Sequence, residues 1–287
     1  MPTPRSPVPE FVLTLSCPDR TGLAYAVTHW LYERDFNILD SDQFGDAYSD
    51  RFFMRVHFAG ERDLDEQRAS FRAVADAHDM SWAIWPVANP LRVLILASRL
   101  DHCLNDLLYR TRNGELPIDI DLIASNHRDV YPLAAAADID FLHLPVTPET
   151  KAAQEQRLLA EIDARGIHLV VLARYMQILT RPFCEALPGR IINIHHSFLP
   201  SFKGARPYHQ AYEHGVKLIG ATAHYVTADL DEGPIIEQSV ERVDHRTSPE
   251  DLVAVGRDIE RVVLARAVRY HAEHRVLLNG QRTVVFR

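Results

Sequence analysis

Apolar and polar positions along this chain fall into two regimes, short alternating blocks first and longer buried-type runs afterwards. Phe11-Val-Leu-Thr-Leu15 reads as a strand, and Pro18-Asp-Arg-Thr-Gly22 turns the chain. From Leu23 to Glu33 the apolar residues Ala26, Val27, Trp30 and Leu31 share one helical stripe. Phe36–Phe44 and Phe52–Phe58 alternate with period two around a polar turn, Gly45–Asp50, which is the pattern of a hairpin. Asp63–His78 reads as a second helix and Trp82-Ala-Ile-Trp-Pro86 as a closing strand. The order βαββαβ predicts a ferredoxin-like sandwich.

Past a short boundary, Val87-Ala-Asn-Pro90, strands and helices alternate. Arg92–Ala97 and His168–Ala173 are apolar runs suited to buried parallel strands. Between them lie helix-like Cys103–Arg112, strand-like Ile118–Ala124, helix-like Val130–Ala137, a short strand at Phe141–Leu144 and a long amphipathic helix at Glu149–Arg165. Leu218–Val226 and Ile235–Val243 read as a later strand pair, and Pro249–His271 as a terminal helix. The chain is therefore expected to be α/β, with a ferredoxin-like domain over residues 1–88 and a doubly wound, Rossmann-like domain over residues 89–287.

Composition narrows the function classes. Residues 1–88 carry 14 acids against 8 arginines and the remainder is nearly balanced, so neither part has the basic surface of a nucleic-acid binder. No run approaches the roughly 18–20 apolar residues of a membrane span, and Met1–Pro7 lacks the apolar centre of a signal peptide. Cys17, Cys103 and Cys184 are widely spaced and odd in number, which predicts reduced thiols in a cytoplasmic protein. The first strand-to-helix turn of the second domain, Ser98-Arg-Leu-Asp-His102-Cys103, has no glycine, so a phosphate cradle and a nucleotide cofactor are not expected there. The pair His102-Cys103 admits two readings, a thiol nucleophile at a helix start or a small buried residue.

The candidate chemistry lies at Asn193-Ile-His195-His196-Ser197 and at Asp231. If Ile191-Ile192 belongs to a strand, Asn193 and His195 point to the same face at its C-terminal tip, where open α/β sheets form their ligand crevices. An amide, an imidazole and a carboxylate are the groups needed to attack a small carbonyl. His196 would point to the other face, as a structural loop residue or as one that positions water. No H-x-x-x-H or H-E-x-x-H spacing accompanies the histidine pair, so no metal is expected.

Asn193-Ile-His195, then Ser197-Phe-Leu-Pro200, then Leu230-Asp231-Glu-Gly233-Pro234 occur in the order found in the folate-dependent formyltransferases, and the chain resembles that family. Cys17-Pro-Asp-Arg-Thr-Gly22-Leu, Phe36-Asn-Ile38, Asp42-Gln43, His102–Leu108 and Leu172–Leu179 extend the resemblance to the two-domain formyltetrahydrofolate deformylases, in which an ACT domain precedes a formyltransferase-like catalytic domain. The resemblance implies hydrolysis of 10-formyltetrahydrofolate to tetrahydrofolate and formate, supplying formate for purine synthesis, with no further cofactor. It implies that Asn193, His195 and Asp231 are catalytic, with Asp231 either activating water or keeping His195 protonated. It implies that Met176, Gln177, Ile178 and Leu179 line the pteridine pocket, that the segment from Val226 to Asp231 closes its other side, and that His196 helps to position substrate water. Lys203, Arg206 and Tyr208 meet the folate tail or face solvent. ACT domains further imply a homo-oligomer and an amino-acid effector, methionine or glycine. Asp35 stands where many relatives have a helix-ending glycine, and aspartate tolerates a left-handed cap less well.

Overall fold

The computed structural model describes residues 8–199 and 207–287 and divides the chain into two units, residues 1–90 with 273–287, and residues 91–272. Among the described residues no helix is long and apolar enough to cross a membrane.

The first unit runs β1 (Glu10–Pro18), α1 (Leu23–Tyr32), β2 (Asn37–Asp46), β3 (Arg51–Ala59), α2 (Leu64–Ala77) and β4 (Ser81–Pro86). Its antiparallel sheet has the order β2-β3-β1-β4, the ferredoxin-like arrangement. The alternation in β1 and β3 sends Leu13, Leu15, Val56 and Phe58 into one core with Val27 and Trp30 of α1 and Phe71 of α2. Asp63 caps α2 by accepting hydrogen bonds from the backbone of Asp65 and Glu66. Asp35 does take up the left-handed conformation, with φ of 56°, and the Phe36 N–H donates to the Leu31 carbonyl to end α1. β2 is an edge strand, so its alternation buries little. Ile38, Leu39 and Phe44 are exposed.

One expectation is corrected here. The segment Glu273–Arg287, which the hydropathy pattern leaves in the second domain, belongs to the first unit. It forms a hairpin of β12 (Val276–Asn279) and β13 (Arg282–Val285). Buried Asp46 accepts hydrogen bonds from Asn279 and Arg282, each at 2.7 Å, as well as from Ser49. Buried Arg55 donates to the carbonyl of Glu273. These polar anchors, separated by more than 200 positions, leave no periodic trace in sequence.

The second unit contains β5 (Leu91–Ala97), α3 (His102–Arg112), β6 (Ile118–Ser125), α4 (Tyr131–Ala136), β7 (Asp140–His143), α5 (Lys151–Arg165), β8 (Leu169–Ala173), α6 (Arg181–Ala186), β9 (Ile191–His195), α7 (Pro207–Glu213), β10 (Leu218–Tyr225), β11 (Ile235–Arg242) and α8 (Pro249–Ala272). The sheet order is β11-β10-β9-β8-β5-β6-β7. The five strands from β9 to β7 are parallel, and β10 and β11 add antiparallel to one edge. β5 and β8 occupy the middle and are buried almost throughout, which explains their unbroken Val, Ile and Leu runs. From β5 the chain winds outward one way through β6 and β7, then returns beside β5 with β8 and winds the other way. The switch point therefore lies between the C-terminal ends of β5 and β8.

Candidate active site

β9 delivers Asn193 and His195 to the C-terminal edge of the sheet, next to that switch point. The antiparallel partner β10 aligns Thr222 with His195 and His224 with Asn193. Buried Thr222 organises the turn after β9, because its hydroxyl donates to the Ser197 carbonyl at 3.0 Å and accepts from the Leu199 N–H at 3.1 Å. Asp231 arrives from the loop after β10. Its backbone is left-handed, φ 57°, a conformation that few residues other than glycine adopt but that aspartate tolerates. Gly233 lets this loop fold back on β10, since a Cβ there would lie 1.7 Å from the Tyr225 carbonyl oxygen.

The result is a compact polar centre. His195 Nδ1 lies 3.4 Å and His224 Nε2 3.7 Å from the same Asp231 oxygen. His224 Nδ1 is 2.9 Å from the Tyr225 carbonyl, which can only accept, so this nitrogen carries the proton. In the neutral ring Nε2 is then the acceptor for the Asn193 amide nitrogen at 3.3 Å. That contact fixes the orientation of the amide and leaves its second N–H and its carbonyl for another partner. The hydrogen bond from His195 holds the Asp231 carboxyl well below the usual carboxylate range, despite its partial burial. His195 Nε2 is buried and has no hydrogen-bond partner among the described residues. Leaving such a group unpaired costs about 1–3 kcal/mol, which is the signature of a site built to receive something. An amide donor, an open imidazole nitrogen and a fixed anion can together stabilise negative charge on a carbonyl oxygen and handle one proton.

The segment after β8 forms the neighbouring wall. Ser98, in the glycine-free turn after β5, accepts from the Met176 N–H at 2.9 Å and donates to Asn126 at 2.7 Å. At the other end Glu155 of α5 accepts from the Thr180 N–H at 3.0 Å and from its hydroxyl. Pinned at both ends, the arch exposes Met176 and Ile178, each by more than half, while Leu179 packs on the sheet core. Plain core packing is excluded for those two side chains. Gln177 is half-buried, and Val226 packs against the same core with its N–H on the Ile191 carbonyl. Arg181 and Asp229, 3.5 Å apart, tie the start of α6 to the loop that carries Asp231.

A second buried polar cluster adjoins His196. Its ring stacks on His195, centroids 5.1 Å apart, and tilts against Tyr208 at 6.4 Å. Glu260 of α8 accepts from Tyr208 at 2.7 Å and pairs with His102 at 2.8 Å and Arg174 at 3.4 Å. Burial pushes the Glu260 carboxyl up, but these three partners outweigh it and hold it down. Burial, with help from the Arg174 charge and His195, pushes His196 down to about 4, so the ring is neutral. Cys103 is fully buried and its thiol is pushed well up by that burial, so the nucleophile reading of His102-Cys103 fails. His102, Cys103 and Glu260 could converge on an ion, but Glu260 is already shared among three donors and one of them is a guanidinium. That donor set does not suit a cation.

Sequence reasoning missed His224, Glu260, His102 and Arg174 as members of these centres. Tyr208 is buried and holds Glu260, which removes it from the candidates for a folate tail, whereas Lys203 and Arg206 lie outside the described residues. A cavity of about 1220 Å³ between α3 and α8 contains none of the residues expected for substrate, and within its lining Arg110 pairs with Asp106 and Arg261 with Asp258.

A parallel sheet with its site at the switch point, closed by an antiparallel pair that carries Asp231, defines a formyltransferase-type α/β unit. Residues 91–268 match the family described as formyl transferase. The chain is 50% identical to the formyltetrahydrofolate deformylase of Corynebacterium sp. (strain P-1), over 96% of this chain and 98% of that one. It superposes on the crystal structure of formyltetrahydrofolate deformylase from Burkholderia mallei with a TM-score of 0.93 and 54% identity, covering 97% and 100% of the two chains. Glycinamide ribonucleotide transformylase 1 from Symbiobacterium toebii matches less of it, with a TM-score of 0.65 and 35% identity over 71% of this chain and 97% of its own. The chain belongs to the formyl transferase family, in its formyltetrahydrofolate deformylase branch.

Proposed function

We propose that the chain hydrolyses 10-formyltetrahydrofolate to tetrahydrofolate and formate. Water oxygen bonds to the formyl carbon, the bond from that carbon to folate N10 breaks, one proton ends on N10, and formate leaves. The observation that carries the reading is the buried, unpartnered Nε2 of His195 beside the oriented amide of Asn193, in a chain whose relatives share the deformylase name over nearly their full length. Asn193 donates to the formyl oxygen as charge builds there, a contribution of roughly 3–4 kcal/mol for a well-placed donor. His195 Nε2 faces the reacting group and serves the departing N10. Of the two roles open to Asp231, pairing with His195 is favoured, because a carboxylate held so far down is a weak proton acceptor. Met176, Gln177, Ile178, Leu179 and Val226 receive the pteridine, a role supported by apolar side chains left exposed on a rigid arch.

The first unit takes a regulatory role in this reading, with methionine or glycine as effector. Asp35 supports the typical helix end after all, since it reaches the left-handed conformation that glycine would supply. The exposed apolar edge strand β2 supports pairing with a second copy of the chain. The product formate then feeds purine synthesis in the cytoplasm.

The purified chain with 10-formyltetrahydrofolate and no amine acceptor is expected to release tetrahydrofolate and formate in equal amounts. Turnover that appears only when an amine acceptor is supplied would replace hydrolysis by transfer.

A further inference from the structure

We propose that Glu260 is a positioning residue for this hydrolysis. By holding Tyr208 and Arg174 it fixes the ring of His196, and His196 so fixed accepts a hydrogen bond from the attacking water. The inference rests on the hydrolytic reading above.

Glu260 is 1% exposed in the middle of a helix whose next buried positions are Val263, Leu264 and Ala265. A position needed only for packing would be apolar there too, because burying a carboxylate costs several kcal/mol before its partners repay it. Its partners come from separate places: His102 from the start of α3 after β5, Arg174 from the end of β8, and Tyr208 from α7. The backbone of Arg174 is left-handed, φ 62°, so its side chain is brought into the cluster at a conformational cost.

The helix also shapes a seat for Tyr208. Gly256 lies one turn before Glu260, and a Cβ there would come within 2.2 Å of the Tyr208 ring. The missing side chain admits the ring and the carboxylate on the next turn fixes its hydroxyl. His196 is then flanked by Tyr208 on one side and by His195 on the other. A ring held in this way presents its nitrogens in one direction.

Asp231 meets His195 through one oxygen, and His195 Nε2 faces the formyl group, so a neutral acceptor on the neighbouring ring would give the attacking water a second, fixed partner. His196 is adjacent and neutral, so its ring offers a lone pair, which meets no hydrogen-bond donor among the described residues.

The test measures formate release by the full chain and by Tyr208→Phe, Glu260→Gln and His196→Gln, with thermal midpoints to confirm folding. Tyr208→Phe and Glu260→Gln are expected to lower kcat about ten- to a hundredfold while KM stays within about twofold, since substrate contacts are untouched and only geometry is lost. In a His196→Gln background Tyr208→Phe is expected to lower kcat by less than about twofold more, because both changes act through one ring. If Glu260→Gln does not fold, the Tyr208→Phe cycle decides alone. An independent loss in the His196→Gln background, or an unchanged kcat in Tyr208→Phe, overturns the proposal. Absence of formate from the unmodified chain overturns the hydrolytic reading and this inference with it, whereas formate from the unmodified chain with unaffected variants overturns this inference alone.

Discussion

Two carboxylates, Glu260 buried and Asp231 half-buried, sit in neighbouring polar centres of the catalytic unit, and their surroundings differ. Glu260 gives every oxygen to a partner supplied by the protein, Tyr208, His102 or Arg174. Asp231 pairs with His195 and lies 3.7 Å from His224, but the centre it organises leaves His195 Nε2 unpaired among the described residues. Arg174 Nε in the first centre also lacks a hydrogen bond among the described residues, its contact with Glu260 being an ion pair at 3.4 Å, so what sets the second centre apart is that its open nitrogen lies at the C-terminal edge of the sheet beside the oriented amide of Asn193. The contrast can be broken by changing one member of each centre.

The largest expected effect is at Asp231. Asparagine also tolerates a left-handed backbone, so Asp231→Asn should fold while kcat falls about 10²–10³-fold. Near-normal turnover in that variant would remove Asp231 from the catalytic group. The same change bears on acid stability. Folded Asp231 binds its proton less readily than the unfolded chain does, so its contribution is present above the ordinary carboxylate value of 3.8 and is lost as pH falls through the lower folded value. Acid titration of unfolding should therefore show a shallower decline below pH 3.8 in Asp231→Asn.

A smaller effect is expected at His224, which orients Asn193 without facing the substrate. His224→Phe keeps the ring and removes the acceptor, and should lower kcat about tenfold with little change in KM. A rise in KM alone would place His224 in substrate binding instead. The smallest effect belongs to the Glu260 centre. Gly256→Ala gains about 1 kcal/mol of helix propensity but drives a methyl into the Tyr208 ring, an overpacking cost of about 1–3 kcal/mol. The thermal midpoint should fall by a few degrees and kcat by less than in Tyr208→Phe. A raised midpoint with unchanged kcat would show that the seat for the ring is not needed.

The legible parts of this fold and site are those with a local signature. The apolar runs of β5 and β8 reveal buried parallel strands, and the alternation in β1 and β3 reveals a half-buried sheet. Asn193 and His195 declare themselves by spacing two apart at a strand tip, a placement the sheet reproduces. His224 had no such signal. It sits in an ordinary strand, and only the register that sets it opposite Asn193 gives it a function. Glu260 was equally silent in a helix rich in charged residues, because its burial depends on three distant partners. α6 and α7 are too short for periodicity to mark, and the antiparallel edge of the sheet depends on pairings that hydropathy does not encode.

The terminal hairpin has a consequence for biosynthesis. Buried Asp46 and Arg55 wait for Asn279, Arg282 and the Glu273 carbonyl, and those residues leave the ribosome only after residues 91–272. The catalytic unit is one continuous stretch and can fold as it emerges, whereas the unit begun first is finished last. A message cut short just after α8 would yield the complete catalytic unit joined to a first unit in which Asp46 keeps Ser49 and Arg55 keeps Asp40, but both lose the partners that the hairpin brings.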